Sequence, residues 1–176
     1  MLIDLLRSRR SIRAFTDRPL EQEKLDLLIE AMLRAPTSAG KAPWEFVVVS
    51  DRETIARLSL AKTQNSAFLK DAALVVVVCA HPQISDVWVE YAAIATLLLH
   101  LEAHDLGLGS CWVQVRLREH DGQRSAEKYI TEVLGLDPAM AVEAMVAIGY
   151  PAETKTGHPT SSLPYDKVSF ERHGRS

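Results

Sequence analysis

The stretch Leu74-Val75-Val76-Val77-Val78 is apolar at every position. Successive side chains of a strand point to opposite faces. A strand with no polar position is therefore one covered on both sides, and residues 74–78 read as the centre of a sheet. Residues 142–148 read as a second inner strand, and residues 110–115 as a third with more alternation. Residues 45–50, carrying Phe46-Val47-Val48-Val49, make a fourth. Helices supply the cover. Leu2, Leu5 and Leu6 share one face of a short helix over residues 2–9. Leu25, Leu28, Ile29, Met32 and Leu33 recur at three- and four-residue steps over residues 21–34, which Pro36 ends. Residues 52–60 form a helix capped by Asp51 or Ser50. Residues 125–134 form another, stopped by Gly135 and Pro138. This order places helices on both faces of one sheet. From Pro151 onward the chain reads as an extended tail.

Residues 86–105 are apolar nearly all round: Trp88, Tyr91, Ile94, Leu97, Leu98, Leu99 and Leu101 leave no obvious face for water. A membrane span needs about 20 mostly apolar residues, and Glu90, His100 and Glu102 interrupt this run. A buried helix is the better reading. A chain of 176 residues has limited interior, so part of this helix is expected to pack on a second copy, in a homodimer of two-fold symmetry.

The net charge of −3 argues against a general attraction to nucleic acid. The N-terminus shows no export pattern, and Cys79 and Cys111 have no partner at metal or redox spacing. Two reduced thiols in a cytoplasmic protein are expected. His100 and His104, four apart on a helix, lack a metalloprotease pattern, so no metal is expected.

Against this mildly acidic background, Arg9-Arg10-Ser11-Ile12-Arg13 concentrates positive charge beside a hydroxyl. Guanidinium groups match phosphate geometry with charge-assisted hydrogen bonds. A solvated helix end is the plain alternative. Pro36-Thr37-Ser38-Ala39-Gly40-Lys41-Ala42-Pro43-Trp44 is a turn-rich loop entering a strand. Gly107-Leu108-Gly109-Ser110-Cys111-Trp112-Val113-Gln114 leaves the buried helix, turns at two glycines and enters another strand.

Taken in order, these segments, with Ile148-Gly149-Tyr150-Pro151, resemble the flavin-dependent nitroreductase family over residues 5–170. The resemblance implies a single domain over residues 1–176, α+β and three-layered (α/β/α) around a central mixed sheet. It implies an intertwined homodimer with FMN sites at the subunit interface, residues 151–176 clasping the partner. Arg9, Arg10 and Ser11 resemble the phosphate-binding positions, and Arg13 the residue at the ribityl chain and the N1/O2 edge. Pro36, Thr37, Ser38 and Gly40 resemble the loop given by the partner. Asn65 resembles the amide at the pyrimidine edge. Trp112, Val113 and Gln114 resemble the strand along the ring, with the Gln114 backbone N–H toward flavin N5. Because only that backbone group is invoked, Gln114→Ala is expected to do little.

The activity implied is NADH- or NADPH-dependent reduction of nitroaromatic, quinone or similar electron-poor acceptors, by two-step transfer through flavin N5. The flavin carries the chemistry, so no catalytic side chain is assigned. A reductive dehalogenase, a flavin-modifying enzyme and a non-enzymatic flavin-binding protein are the rivals on this scaffold. Two departures stand out. Gly40 and Ala42 replace amide side chains common in the second loop, so contacts there must use backbone. Hydroxyls replace the usual basic residues of the tail, where Lys155 or Lys167 could substitute.

Overall fold

The computed structural model describes residues 1–174; the last two positions of the expected tail lie outside the described residues. Four strands, β1 (Trp44–Val49), β2 (Leu74–Ala80), β3 (Gly109–Gln114) and β4 (Ala141–Gly149), form one sheet in the order β1-β2-β4-β3. Every neighbouring pair is antiparallel. The parallel component expected of a mixed sheet shrinks to a single bridge, Ser11 with Ser110. The physical reason lies in the topology. β2 and β3 do run parallel, joined across a helix, but β4 inserts between them and runs the other way.

Five helices sandwich the sheet: α1 (Leu2–Ser8), α2 (Gln22–Leu33), α3 (Arg52–Ser59), α4 (Trp88–Asp105) and α5 (Ala126–Leu134). On one face, Leu28 and Met32 of α2 and Leu99 and Ala103 of α4 pack on Leu74, Val76, Val78, Val146 and Ile148. On the other, Ile55, Leu58 and Ile130 pack on Val75, Val77, Cys79 and Met145. The uniform apolarity of β2 is thereby explained. All of its residues are buried, and each valine contributes about 2 kcal/mol by leaving water. Asp51, not Ser50, caps α3 by accepting from the Thr54 N–H at 2.8 Å. Ser125 caps α5, and Gly135 ends it in the left-handed conformation.

α4 ends in a Schellman motif. Gly107 at φ 73 lets its N–H reach His104 O at 3.1 Å, while the Leu108 N–H reaches Ala103 O at 2.8 Å. The chain enters β3 immediately afterwards. Part of α4 faces solvent in the single chain, with Leu97 half exposed and Ile94 more than a third exposed. No helix among the described residues is long and apolar enough to cross a membrane.

Candidate functional site

β3 is an edge strand, and residues 11 and 12 bridge to its open side at Ser110 before residues 14–16 pair with residues 150–152. Ile12 is the anchor. Its N–H donates to Ser110 O at 3.0 Å, and its side chain fills the space above Gly109. A Cβ at Gly109 would lie 2.8 Å from Ile12 Cβ, so only glycine admits the arm there. Further along, Phe15 bridges Pro151, the Thr16 N–H donates to Tyr150 O, and the Ala152 N–H donates to Ala14 O. Glu153 Oε1 accepts from the Arg13 N–H at 2.6 Å. The Gly149-Tyr150-Pro151 motif is thus the second clamp on the basic arm.

The ladder decides which main-chain groups of β3 remain open. Val115 N–H donates to Glu143 O at 3.2 Å, and hydrogen-bonded pairs alternate along an antiparallel pair. Ser110, Trp112 and Gln114 therefore turn their N–H and C=O groups away from β4, toward the free edge. Ser110 O is taken by Ile12. The groups of Trp112 and Gln114 face outward beyond the arm.

Cations gather around this edge. Burial pushes the Cys111 thiol up against the opposing influence of Arg13, a hydrogen bond with Ser11, Lys155 and Arg9. One buried atom thus senses three cations and the Ser11 hydroxyl. Lys155 Nζ lies 2.9 Å from Ser11 O and 2.9 Å from Glu153 Oε1. Of the two candidate lysines, Lys155 is the one that meets the basic arm, while Lys167 lies in the exposed tail. Arg10 donates to Thr156 O and lines a cavity of about 230 Å³ with Ser8, His104, Gly107, Glu153 and Lys155.

The two histidines of α4 each meet a serine: His104 Nε2 lies 2.7 Å from Ser8 Oγ, and His100 Nδ1 lies 2.7 Å from Ser110 Oγ. Burial first, then the Arg9 charge, pushes His100 from 6.5 down to about 4. A histidine kept neutral in the fold but free to protonate when unfolded stabilises fully above pH 6.5. That stabilisation is lost as pH falls from 6.5 toward 4. From pH 7 to pH 5 the loss is about 2 kcal/mol, measurable as a lower urea midpoint. His100→Asn should flatten this part of the pH profile; an unchanged slope would remove His100 as its source.

The outward row of β3 continues as a side-chain chain. Trp112, stacked on His100 with ring centroids 6.5 Å apart, donates its indole N–H to Gln114 Oε1 at 2.9 Å. Gln114 Nε2 donates to Glu143 Oε1 at 3.2 Å and lies 3.3 Å from both Glu143 O and Arg116 O. Glu143 is 5% exposed, and its Oε2 has no partner among the described residues. The Gln114 side chain is therefore a junction, which adds a structural role to the backbone one invoked for this residue. Neither Glu143 nor this junction was legible in the sequence. Glu143 occupies a bulge, where the β2–β4 register skips between Ala144 and Val142, and bulges leave no periodic signature.

The second loop is closed on itself. Ala39, Gly40 and Ala42 are left-handed, at φ 52, 65 and 39. Thr37 Oγ1 accepts from the Ala42 N–H, and Tyr91 Oη accepts from the Ser38 N–H, both at 3.1 Å. The N–H groups of Gly40 and Lys41 are also engaged within the loop. Backbone contacts from residues 38 and 40–42 must therefore come from carbonyls. No hydrogen bond, ion pair or ring contact joins Pro36, Thr37, Ser38 or Gly40 to residues 9–13 or to Gln114 among the described residues. Asn65 meets none of these residues by hydrogen bond or ring contact among the described residues. It is left-handed at φ 61 and starts the turn holding Phe68, whose ring lies 5.9 Å from the Arg13 guanidinium. Within one chain, the structure joins Ser11 and Ile12 to the Ser110 end of β3 and sets Arg13 against the Phe68 ring. It leaves the second loop apart.

A three-layer α+β protein with a cationic arm along an open sheet edge is built to hold an anionic ligand against main-chain donors. Comparison with known proteins agrees in fold and family. The sequence profile of the nitroreductase family matches residues 6–84 and 59–150. A solved FMN-dependent nitroreductase from Clostridium difficile R20291 superposes with a TM-score of 0.95 at 45% identity, covering 97% of this chain and 99% of that one. An Archaeoglobus fulgidus protein, named provisionally as an NADH dehydrogenase/NAD(P)H nitroreductase, is 35% identical over 87% of each chain. The FMN reductase (NADPH) of Bacillus subtilis is 27% identical over 96% of this chain and 72% of its own length. The chain belongs to the nitroreductase family.

Proposed function

We propose that this chain is an FMN-dependent NAD(P)H oxidoreductase that reduces nitroaromatic, quinone or similar electron-poor acceptors. The observation that carries this reading is the basic arm pinned to β3 at Ser110, with Lys155 on the Ser11 carbonyl, next to the outward backbone of Trp112 and Gln114. The residues present fit the cofactor. Arg9, Arg10, Ser11 and Lys155 would hold its phosphate, and Arg13 the anionic edge of its ring. Asn65 would meet the pyrimidine edge, and the Gln114 N–H would lie toward N5. When bound, FMN supplies the acceptance and donation of hydride. The chain contributes position and field: guanidinium groups fixed before reaction favour the negative charge that reduction adds.

The functional unit is a homodimer in which Pro36, Thr37, Ser38 and Gly40 serve the partner's site. Three observations support it. The second loop is separate from its own chain's arm. Apolar residues are exposed on α1 (Leu2, Leu6) and α4 (Leu97). The tail exposes Leu163, Tyr165, Val168 and Phe170, as a segment clasping a partner would. The whole chain acts as one domain. The two buried unpaired thiols suit a reducing, cytoplasmic compartment.

The test is the visible spectrum of the purified protein across a size-exclusion peak. Yellow protein eluting at the dimer position, and releasing FMN on denaturation, is the expected result. A colourless protein that ignores added FMN would end the cofactor reading, and a well-folded monomer carrying FMN would end the interface reading.

A further inference from the structure

Immediately past Gln114 the chain makes a tight turn, residues 115–118, closed by the Arg118 N–H on Val115 O at 3.0 Å. Leu117, its third residue, is left-handed at φ 59 and 77% exposed. A β-carbon in that conformation costs about 1 kcal/mol, and such strain collects at functional sites. The turn is held firmly from behind. Glu143 O accepts from the N–H groups of Val115 and Arg116 at 3.2 and 3.0 Å. Arg116 lies over the Trp88 ring at 5.7 Å, and the Arg118 guanidinium donates to the Leu117 carbonyl at 3.1 Å. Beyond it, His120 Nδ1 lies 3.1 Å from Ala61 O, which brings this segment against Lys62, three residues before Asn65. Burial pushes the Lys62 ammonium down, and Arg118 adds to the shift. No carboxylate lies within ion-pair distance of Lys62, Arg116 or Arg118 among the described residues. In a chain of net charge −3, three cations on this turn and the segment packed against it, none ion-paired among the described residues, are a local concentration of positive field.

We propose that Lys62, Arg116 and Arg118 form an anion-recognition rim at the end of β3, and that a molecule docking beside the cofactor there carries a carboxylate or phosphate group. The placement beside the cofactor rests on the flavin reading above. The rim itself rests on the turn, the Ala61 contact and the absence of acid partners. Trp88 and Leu117 supply apolar surface next to the cations, which suits a planar ring bearing the anion. The anion can arrive on the acceptor, as an aromatic carboxylate, or on the reductant, as a dinucleotide phosphate.

The Lys62→Gln/Arg118→Gln double variant tests this as the FMN-loaded protein, with 4-nitrobenzoate, its neutral isostere 4-nitrobenzamide, and NADH as probes. If the acceptor brings the anion, the ratio of kcat/KM for nitrobenzoate to that for nitrobenzamide falls about tenfold, as two half-screened charges require. If the reductant brings it, the concentration of NADH giving half-maximal flavin reduction rises about tenfold in stopped flow. Either result supports the rim and identifies the source. Changes under twofold in both, or equal losses with nitrobenzamide and nitrobenzoate, overturn it. Calorimetric titration of 4-nitrobenzoate into the protein as purified gives a readout that needs no turnover. Binding weakened at least fivefold in the double variant sustains the rim even if the wild-type protein proves colourless. A wild-type protein that binds nitrobenzoate no better than nitrobenzamide, and NADH no better than the double variant does, overturns it, whatever the flavin content.

Discussion

Arg13→Ala should weaken FMN binding about thirtyfold, a loss of about 2 kcal/mol for one charge-assisted contact, and should lower the midpoint potential of the bound flavin. The guanidinium has no carboxylate partner among the described residues and touches only the Phe68 ring, at 5.9 Å. Its backbone is fixed independently, by the 2.6 Å bond from the Arg13 N–H to Glu153, so truncation removes the charge without releasing the arm. The two readouts separate two roles. A group that merely holds the phosphate would change affinity and leave the potential alone. A cation at the ring edge favours the reduced state more than the oxidised one, so its loss lowers the potential as well. Fluorescence titration of FMN and a redox titration of the bound flavin make both measurements. An unchanged potential would move Arg13 from the ring to the phosphate, and an unchanged affinity would remove it from the site.

Gln114→Leu should destabilise the protein by about 3 kcal/mol, because it strands two buried polar groups together. The Trp112 indole N–H would lose its acceptor, and Glu143 Oε1 would lose its amide donor while Oε2 is already without one. Urea denaturation followed by tryptophan fluorescence gives the size of the effect. The double variant Gln114→Leu/Glu143→Leu supplies the check, since removing donor and acceptor together should cost less than the sum of the single changes. Additive losses would show that the two side chains do not depend on each other. The backbone N–H of Gln114 survives either substitution, so any weakening of FMN here measures how firmly the side-chain junction holds the strand edge.

Much of this molecule could be read before any coordinate. The apolar run of β2, the three- and four-residue spacing of α2 and the capping residues of α3 and α5 are local signals, and each element lies where its signal put it. The basic arm was legible as charge, and the paired glycines before β3 as a turn. The chemistry assigned to them came from resemblance in order and spacing. The direction of each side chain was not legible. Arg9 and Arg10 are neighbours of identical chemistry, yet only Arg10 reaches the Thr156 carbonyl, while the Arg9 charge acts on His100 and Cys111. Lys155 and Lys167 were equivalent until the Glu153 segment folded back against Ser11.

By itself, then, the amino-acid sequence determined which segments become helix and strand, that β2 is covered on both faces, and which short stretches hold charge or flexible turns. These follow from side-chain size, polarity and period, properties carried within a few residues. Only the tertiary structure decided that the sheet is antiparallel with β4 between β2 and β3. It alone decided that the arm lies on the open edge of β3, that Gln114 joins Trp112 to Glu143, and that the Arg118 turn comes against residues 61 and 62. Those relations link residues tens of positions apart. They depend on which backbone donors remain open once every strand has been paired, and that is a property of the assembled sheet.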